Sequence, residues 1–194
     1  MRLKPGFAAG LVAFALATPV TWAQVSTALP PQTIGTLATD KEPPTELQQV
    51  QQQLAAGRAA QALDLADATL KKNPRDAQMR FVRGVILTEM KRPAEARDVF
   101  QGLTEDFPEL PEPYNNLAVL YASEGKLDNA RAALEMALAA APNYGTAYEN
   151  LGDIYLQLAA DAYQRAAKLE PANRQASAKL TLSRELITKA RNVR

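Results

Sequence analysis

Residues 111–142 read PEPYNNLAVLYASEGKLDNARAALEMALAAAP, and this stretch decides the fold. Tyr114, Leu117, Ala118 and Tyr121 recur in steps of three or four, the spacing of one helix face. Gly125 interrupts that face, and Ala130, Leu134 and Ala137 then resume it as far as Pro142. The order predicts two short helices joined by a glycine turn and stopped by a proline, which has no amide hydrogen with which to continue a helix.

The pattern extends in both directions. Pro74, Pro108 and Pro142 lie 34 residues apart, and Pro171 follows after 29. A constant spacing in this range means one helical unit stacked on copies of itself. With each proline at the third-last place, units begin near Pro43, Ala77, Pro111 and Gly145. The eighth place of the last three units holds Gly84, Ala118 and Gly152, and the twentieth place of the first three holds Ala62, Ala96 and Ala130. Small residues recur where two helices would cross, and Leu117, Tyr121, Leu151, Tyr155, Phe100 and Leu134 supply the larger side chains that fill the space they leave.

These positions resemble the tetratricopeptide repeat, two antiparallel helices per unit closed by a proline. The resemblance runs from about Thr45 to Pro171 and is best in the third unit. In the first unit Glu46, Gln49 and Gln53 stand where the family has large apolar residues, although Leu47, Val50 and Leu54 still form a helical stripe. The expected fold is all-α: a right-handed α-solenoid of hairpins at 45–74, 77–108 and 111–142, a shortened unit at 145–171 and a capping helix with tail at 172–194.

The shortened unit departs from the family pattern. Gln157-Leu158-Ala159-Ala160-Asp161 contains neither Gly nor Pro where a turn belongs, and Tyr148, Leu151, Tyr155, Leu158, Ala162, Ala166 and Leu169 continue in steps of three or four. One fused helix of about 25 residues, about 37 Å long, is expected. Its face at Ala162, Tyr163, Ala166 and Leu169 then lacks the usual partner. The last helix, through Ala176, Leu180 and Ile187, is the expected cover, and exchange of ends with a second copy to give a homodimer is the alternative. Of the six tyrosines, all but Tyr144 fall at core spacing.

The amino terminus reads as an export signal. Arg2 and Lys4 precede an uncharged apolar run from Phe7 to Val20, and Thr21-Trp22-Ala23 offers small residues for cleavage before Gln24. The run is shorter than the ~20 residues a membrane span needs, so residues 1–23 are expected to be removed, leaving a periplasmic or secreted protein. Residues 24–44, with Pro30, Pro31, Pro43 and Pro44 and no apolar period, read as a disordered linker. Thr45 and Gln48 then form a capping box that opens the first helix. The glutamines between Gln48 and Gln53 read as a solvated helix face, since one short helix cannot sustain a coiled coil.

Charge and composition narrow the function. Without Arg2 and Lys4 the chain carries 20 basic residues against 21 acidic ones, which gives no electrostatic pull toward nucleic acid or anionic membrane. There is no His and no Cys, removing the commonest general base, the thiol nucleophile and most zinc sites. Glu105 with Asp106, and Glu149 with Asp153, are carboxylate pairs of the kind that usually decorate a solvated helix face. No enzyme activity, metal or cofactor is expected.

The family resemblance implies a concave groove lined by the first helix of each unit. Its positions hold Gln48 and Gln51; Gln78, Phe81, Val82, Val85 and Glu89; Glu112, Asn115, Asn116, Val119 and Ser123; and Glu149, Asn150, Asp153 and Gln157. None of these positions is Lys or Arg, so the basic clamp with which chaperone-binding members hold a terminal carboxylate is not expected. Side-chain amides both donate and accept hydrogen bonds, which suits the backbone of an extended peptide. Asn116 and Asn150 could equally bridge adjacent repeats. The sequence thus predicts a non-catalytic adaptor or scaffold of the bacterial envelope that binds a protein or peptide, with an assembly role for the fused helix as the alternative.

Overall fold

The computed structural model describes residues 44–192, and the export signal and nearly all of the linker expected before Thr45 lie outside them. Eight helices follow in order: α1 Glu46–Ala55, α2 Ala59–Lys72, α3 Ala77–Glu89, α4 Pro93–Asp106, α5 Pro111–Ser123, α6 Leu127–Ala140, α7 Gly145–Leu169 and α8 Arg174–Asn192. No strand occurs among the described residues. Each helix packs on the next, and α1 also touches α3 as α5 touches α7. These contacts between first helices of adjacent units are those of an α-solenoid whose odd-numbered helices line the inner side.

Local chemistry explains where the helices begin and end. Thr45 accepts from the amide of Gln48 at 3.2 Å while Gln48 Oε1 accepts from the amide of Thr45 at 2.9 Å, the reciprocal cap expected of this pair. Asn73, Phe107, Ala141 and Glu170 end α2, α4, α6 and α7 with φ between −127° and −140°. Each stands before a proline, which disfavours the helical conformation at the preceding residue.

The three hairpin turns share one backbone device. Gly57 and Gly125 have φ of 72° and 74°, and Lys91 occupies the equivalent place in the second unit at φ 59°. A side chain there crowds the backbone, so Lys91→Gly is expected to raise the unfolding free energy by about 1 kcal/mol, measured as a higher urea midpoint. The fifteenth residue of the fourth unit is Ala159, inside α7, and the chain does not turn.

The eighth and twenty-fourth places of each of the first three units are buried in the core, and their sizes complement one another. Val50 goes with Ala66, Gly84 with Phe100 and Ala118 with Leu134, and all six are buried. At Gly84 the fit is tight: an added Cβ would lie 2.6 Å from the Phe100 ring. Ala62, Ala96 and Ala130 are wholly buried, as expected of crossing points.

α7 is the fused helix expected from the sequence, 25 residues long, and α8 packs against it. Its buried residues match the expected stripe only in part, at Leu151 and, half-buried against the core, Leu158. Ala147, Leu151 and Ile154 face the core, whereas Tyr148 and Tyr155 are 55% and 50% exposed. The reason is the missing hairpin partner. The equivalent Tyr114 is buried, its hydroxyl donating to the Thr104 carbonyl of α4, and Tyr121 is half-buried in a unit whose second helix α6 packs on α5, but no second helix of the fourth unit exists to cover Tyr148 and Tyr155. Conversely Tyr144, expected at the surface, is half-buried and packs on the core as α7 begins.

Candidate partner-binding groove

The inner face is set by α1, α3, α5 and α7, of which α1 touches α3 and α5 touches α7. On α3, Gln78 is exposed and Phe81 and Val85 are half-buried, while Val82 turns inward and is 5% exposed. Phe81 is partly committed to the core, its ring tilted against that of Phe100 with centroids 5.7 Å apart. On α5, Glu112 is exposed and Asn116 and Val119 are half-buried. On α7, Glu149 is exposed and Asn150 and Asp153 are half-buried.

Asn115 takes a different place from its neighbours. It is completely buried, and its Oδ1 accepts from Asn150 Nδ2 at 2.7 Å, tying α5 to α7. The amide bridge between repeats therefore joins Asn115 to Asn150. Asn116 Nδ2 instead donates to the Glu112 carbonyl of its own helix at 2.9 Å. This bond favours one spacing of the two helices, because separating them leaves the buried Asn115 Oδ1 without its partner.

Carboxylates give the groove its charge. Burial pushes the Glu89 carboxyl up from its ordinary range, against the opposing pull of Lys91. Burial also raises the Tyr144 phenol, and the charge of Glu112 adds to the rise. The surface offered by α3, α5 and α7 is thus apolar at Phe81 and Val85, amide-bearing at Asn116 and acidic at Glu112 and Glu149.

The paired cations lie on other surfaces. Arg83 donates to Asp67 at 2.6 Å and Arg80 to Asp106 at 2.5 Å, and both arginines line an open cleft of about 700 Å³ between α2 and α4. Sequence reasoning missed this cleft. The visible signal was Arg80 and Arg83 three residues apart on one helix, but their carboxylate partners sit 26 and 16 residues away. Glu124 is flanked by Lys126, at 2.7 Å, and by Arg97, and the hydrogen bond from Lys126 helps hold its carboxyl below the usual range. Among the described residues no group of three His, Cys, Asp or Glu side chains is placed to hold a metal, and no helix is long and apolar enough to cross a membrane.

Two family profiles, both described as Tetratricopeptide repeat, match residues 47–111 and 87–152. The chain belongs to the tetratricopeptide repeat family. A relative, the tetratricopeptide repeat domain-containing protein PYG7, chloroplastic, of Arabidopsis thaliana, is 34% identical over 125 residues, which is 58% of this chain and 42% of that relative's length. The crystal structure of TTC0263, a thermophilic tetratricopeptide repeat protein of Thermus thermophilus, is 25% identical with a TM-score of 0.54, covering 71% of this chain and 80% of that one. The first tetratricopeptide domain of Spaghetti (RPAP3), bound to the HSP90 peptide SRMEEVD, is 18% identical with a TM-score of 0.55 over 59% of this chain and 90% of that one. This likeness shows the fold. A tetratricopeptide repeat solenoid is an interaction module, and the inner face of this one is built without a cation at the groove positions.

Proposed function

We propose that this tetratricopeptide repeat protein is a non-catalytic adaptor or scaffold of the bacterial cell envelope, exported through residues 1–23, whose groove holds a neutral or basic extended segment of another protein. The observation that carries this reading is that Val85, Asn116, Val119 and Glu149, on the first helices of three successive units, are all at least partly exposed. The peptide bound to the RPAP3 domain ends in Glu-Glu-Val-Asp. A groove with carboxylates at Glu112 and Glu149 and no Lys or Arg at its positions repels such a sequence and favours the opposite charge.

Asn115 is excluded from direct contact by its burial, and Asn150 contributes chiefly by holding α5 against α7. The recognition surface is Phe81, Val85, Asn116 and Val119, with Gln78, Glu112, Glu149 and Asp153 around it.

Photo-reactive residues placed at Val85 and Val119 in whole cells test the reading, with Met136, 51% exposed on α6, as the control. The groove positions are expected to capture one envelope protein that Met136 does not. Capture of the same proteins from all three positions, or none from the groove, would refute it.

A further inference from the structure

We propose that the uncovered face of α7 is the docking site for α8 of a second copy of this chain, in a two-fold dimer. The proposal does not depend on what the groove binds, and it concerns the face of α7 at Tyr148, Gly152 and Tyr155, next to the groove positions Glu149 and Asp153. Its basis is a direct comparison between repeats. The third and fourth units carry the same residue types on their first helices: Tyr114, Leu117, Ala118 and Tyr121, then Tyr148, Leu151, Gly152 and Tyr155. In the third unit α6 packs on α5, and Tyr114, Leu117 and Ala118 are buried and Tyr121 half-buried. In the second unit the small residue is Gly84, and Phe100 fills the notch it leaves. At Gly152 an added Cβ would meet nothing within 4 Å. The fourth unit thus retains the surface that receives a second helix, after losing the turn that would have supplied one.

α8 does not fill the vacancy within its own chain. It packs beside the second half of α7, where Ala160 is buried, Arg184 donates to Gln164 at 3.2 Å and Lys179 lies 5.6 Å above the Tyr163 ring. Tyr148, Gly152, Tyr155 and Ala162 follow one another in steps of four, three and seven along the adjacent face and stay exposed.

The occupant is identified by what α8 leaves unused. Ala176, Leu180, Ser183 and Ile187 turn toward its own chain, while Ala178, Leu182 and Leu186 form an outward ridge, with Leu182 and Leu186 59% and 51% exposed. Ala178 and Leu182 are four residues apart, the spacing of Ala96 and Phe100 in α4 and of Ala130 and Leu134 in α6. The ridge therefore repeats the small-then-large pattern of the helices that occupy this face in earlier repeats.

Charge favours the same pairing. α8 carries five basic residues and one acidic, whereas the first twenty residues of α7 contain Glu149, Asp153 and Asp161 and no basic residue. In a two-fold arrangement each copy offers one α7 face and one α8 ridge, so the contact closes on itself and both surfaces are covered at once.

The chain has no cysteine, so introduced thiols report on this contact alone. Chains with Tyr155→Cys and differently tagged chains with Leu182→Cys are expected to form a mixed disulfide on oxidation, and a Met136→Cys control is expected to give none. Light scattering of the full chain is expected to give twice the mass of one chain. Gly152→Trp and Leu182→Glu, both at exposed sites, are expected to return it to a monomer with unchanged helical circular dichroism. A monomer at about 100 μM, which places any Kd above that range, overturns the proposal. So does a dimer indifferent to Gly152→Trp. A monomer whose melting point falls with Gly152→Trp also overturns it, and assigns the face to a segment of the same chain.

Discussion

Phe100→Ala is expected to lower the unfolding free energy by about 3–5 kcal/mol, measured by urea denaturation. Phe100 is among the largest of the fully buried side chains, and its ring occupies the space left by Gly84 on the facing helix. Truncation leaves a cavity that Gly84 cannot fill, since it has no side chain to move. The reverse error is also costly. Gly84→Ala drives a methyl group to 2.6 Å from a ring atom with no freedom to retreat, and overpacking of this kind costs about 1–3 kcal/mol.

The third repeat solves the same crossing with Ala118 and Leu134. Gly84→Ala combined with Phe100→Leu installs that solution in the second repeat. The double variant is expected to be more stable than the sum of its single costs implies, with an interaction energy of about 1–2 kcal/mol. Strict additivity would show that the two places do not share one packing space.

Ala159→Pro is expected to cost about 3 kcal/mol or more and to loosen the C-terminal part of the molecule. Ala159 lies within α7, where proline removes an amide hydrogen bond and collides with the preceding turn. The first half of α7 packs on α5 and α6, and the second half holds α8, so a break between them uncouples the two. Hydrogen exchange should show α8 amides losing protection ahead of those in α3 to α6. In the other units the equivalent residue is Gly57, Lys91 or Gly125, each in a turn with positive φ. If the fourth unit formed a hairpin in solution, Ala159→Pro would fall outside the helix interior and the amides of α8 would keep their protection.

Much of the fold was legible in the residues alone. The period of Pro74, Pro108 and Pro142 located three helix ends, and the Thr45 and Gln48 cap located a helix start. These are local signals, carried by residues whose own backbone chemistry produces the effect. The groove was only partly legible. The helical period named Val85, Asn116 and Val119 as groove positions, and all three are half-buried. However, the difference between Asn115, which is buried, and Asn116, which is half exposed, depends on where α7 lies against α5.

The sequence by itself determined the repeat, the hairpin turns and the fusion of the fourth unit, because each depends on helical period or on the allowed φ of a glycine or proline. Only the tertiary structure decided which side of α7 meets protein. Tyr148 and Tyr155 carry the same side chains at the same places as Tyr114 and Tyr121, yet one pair is exposed and the other is covered or half covered. Burial is a property of the neighbour, and at α7 the neighbour expected from the repeat is the helix that the shortened unit lacks.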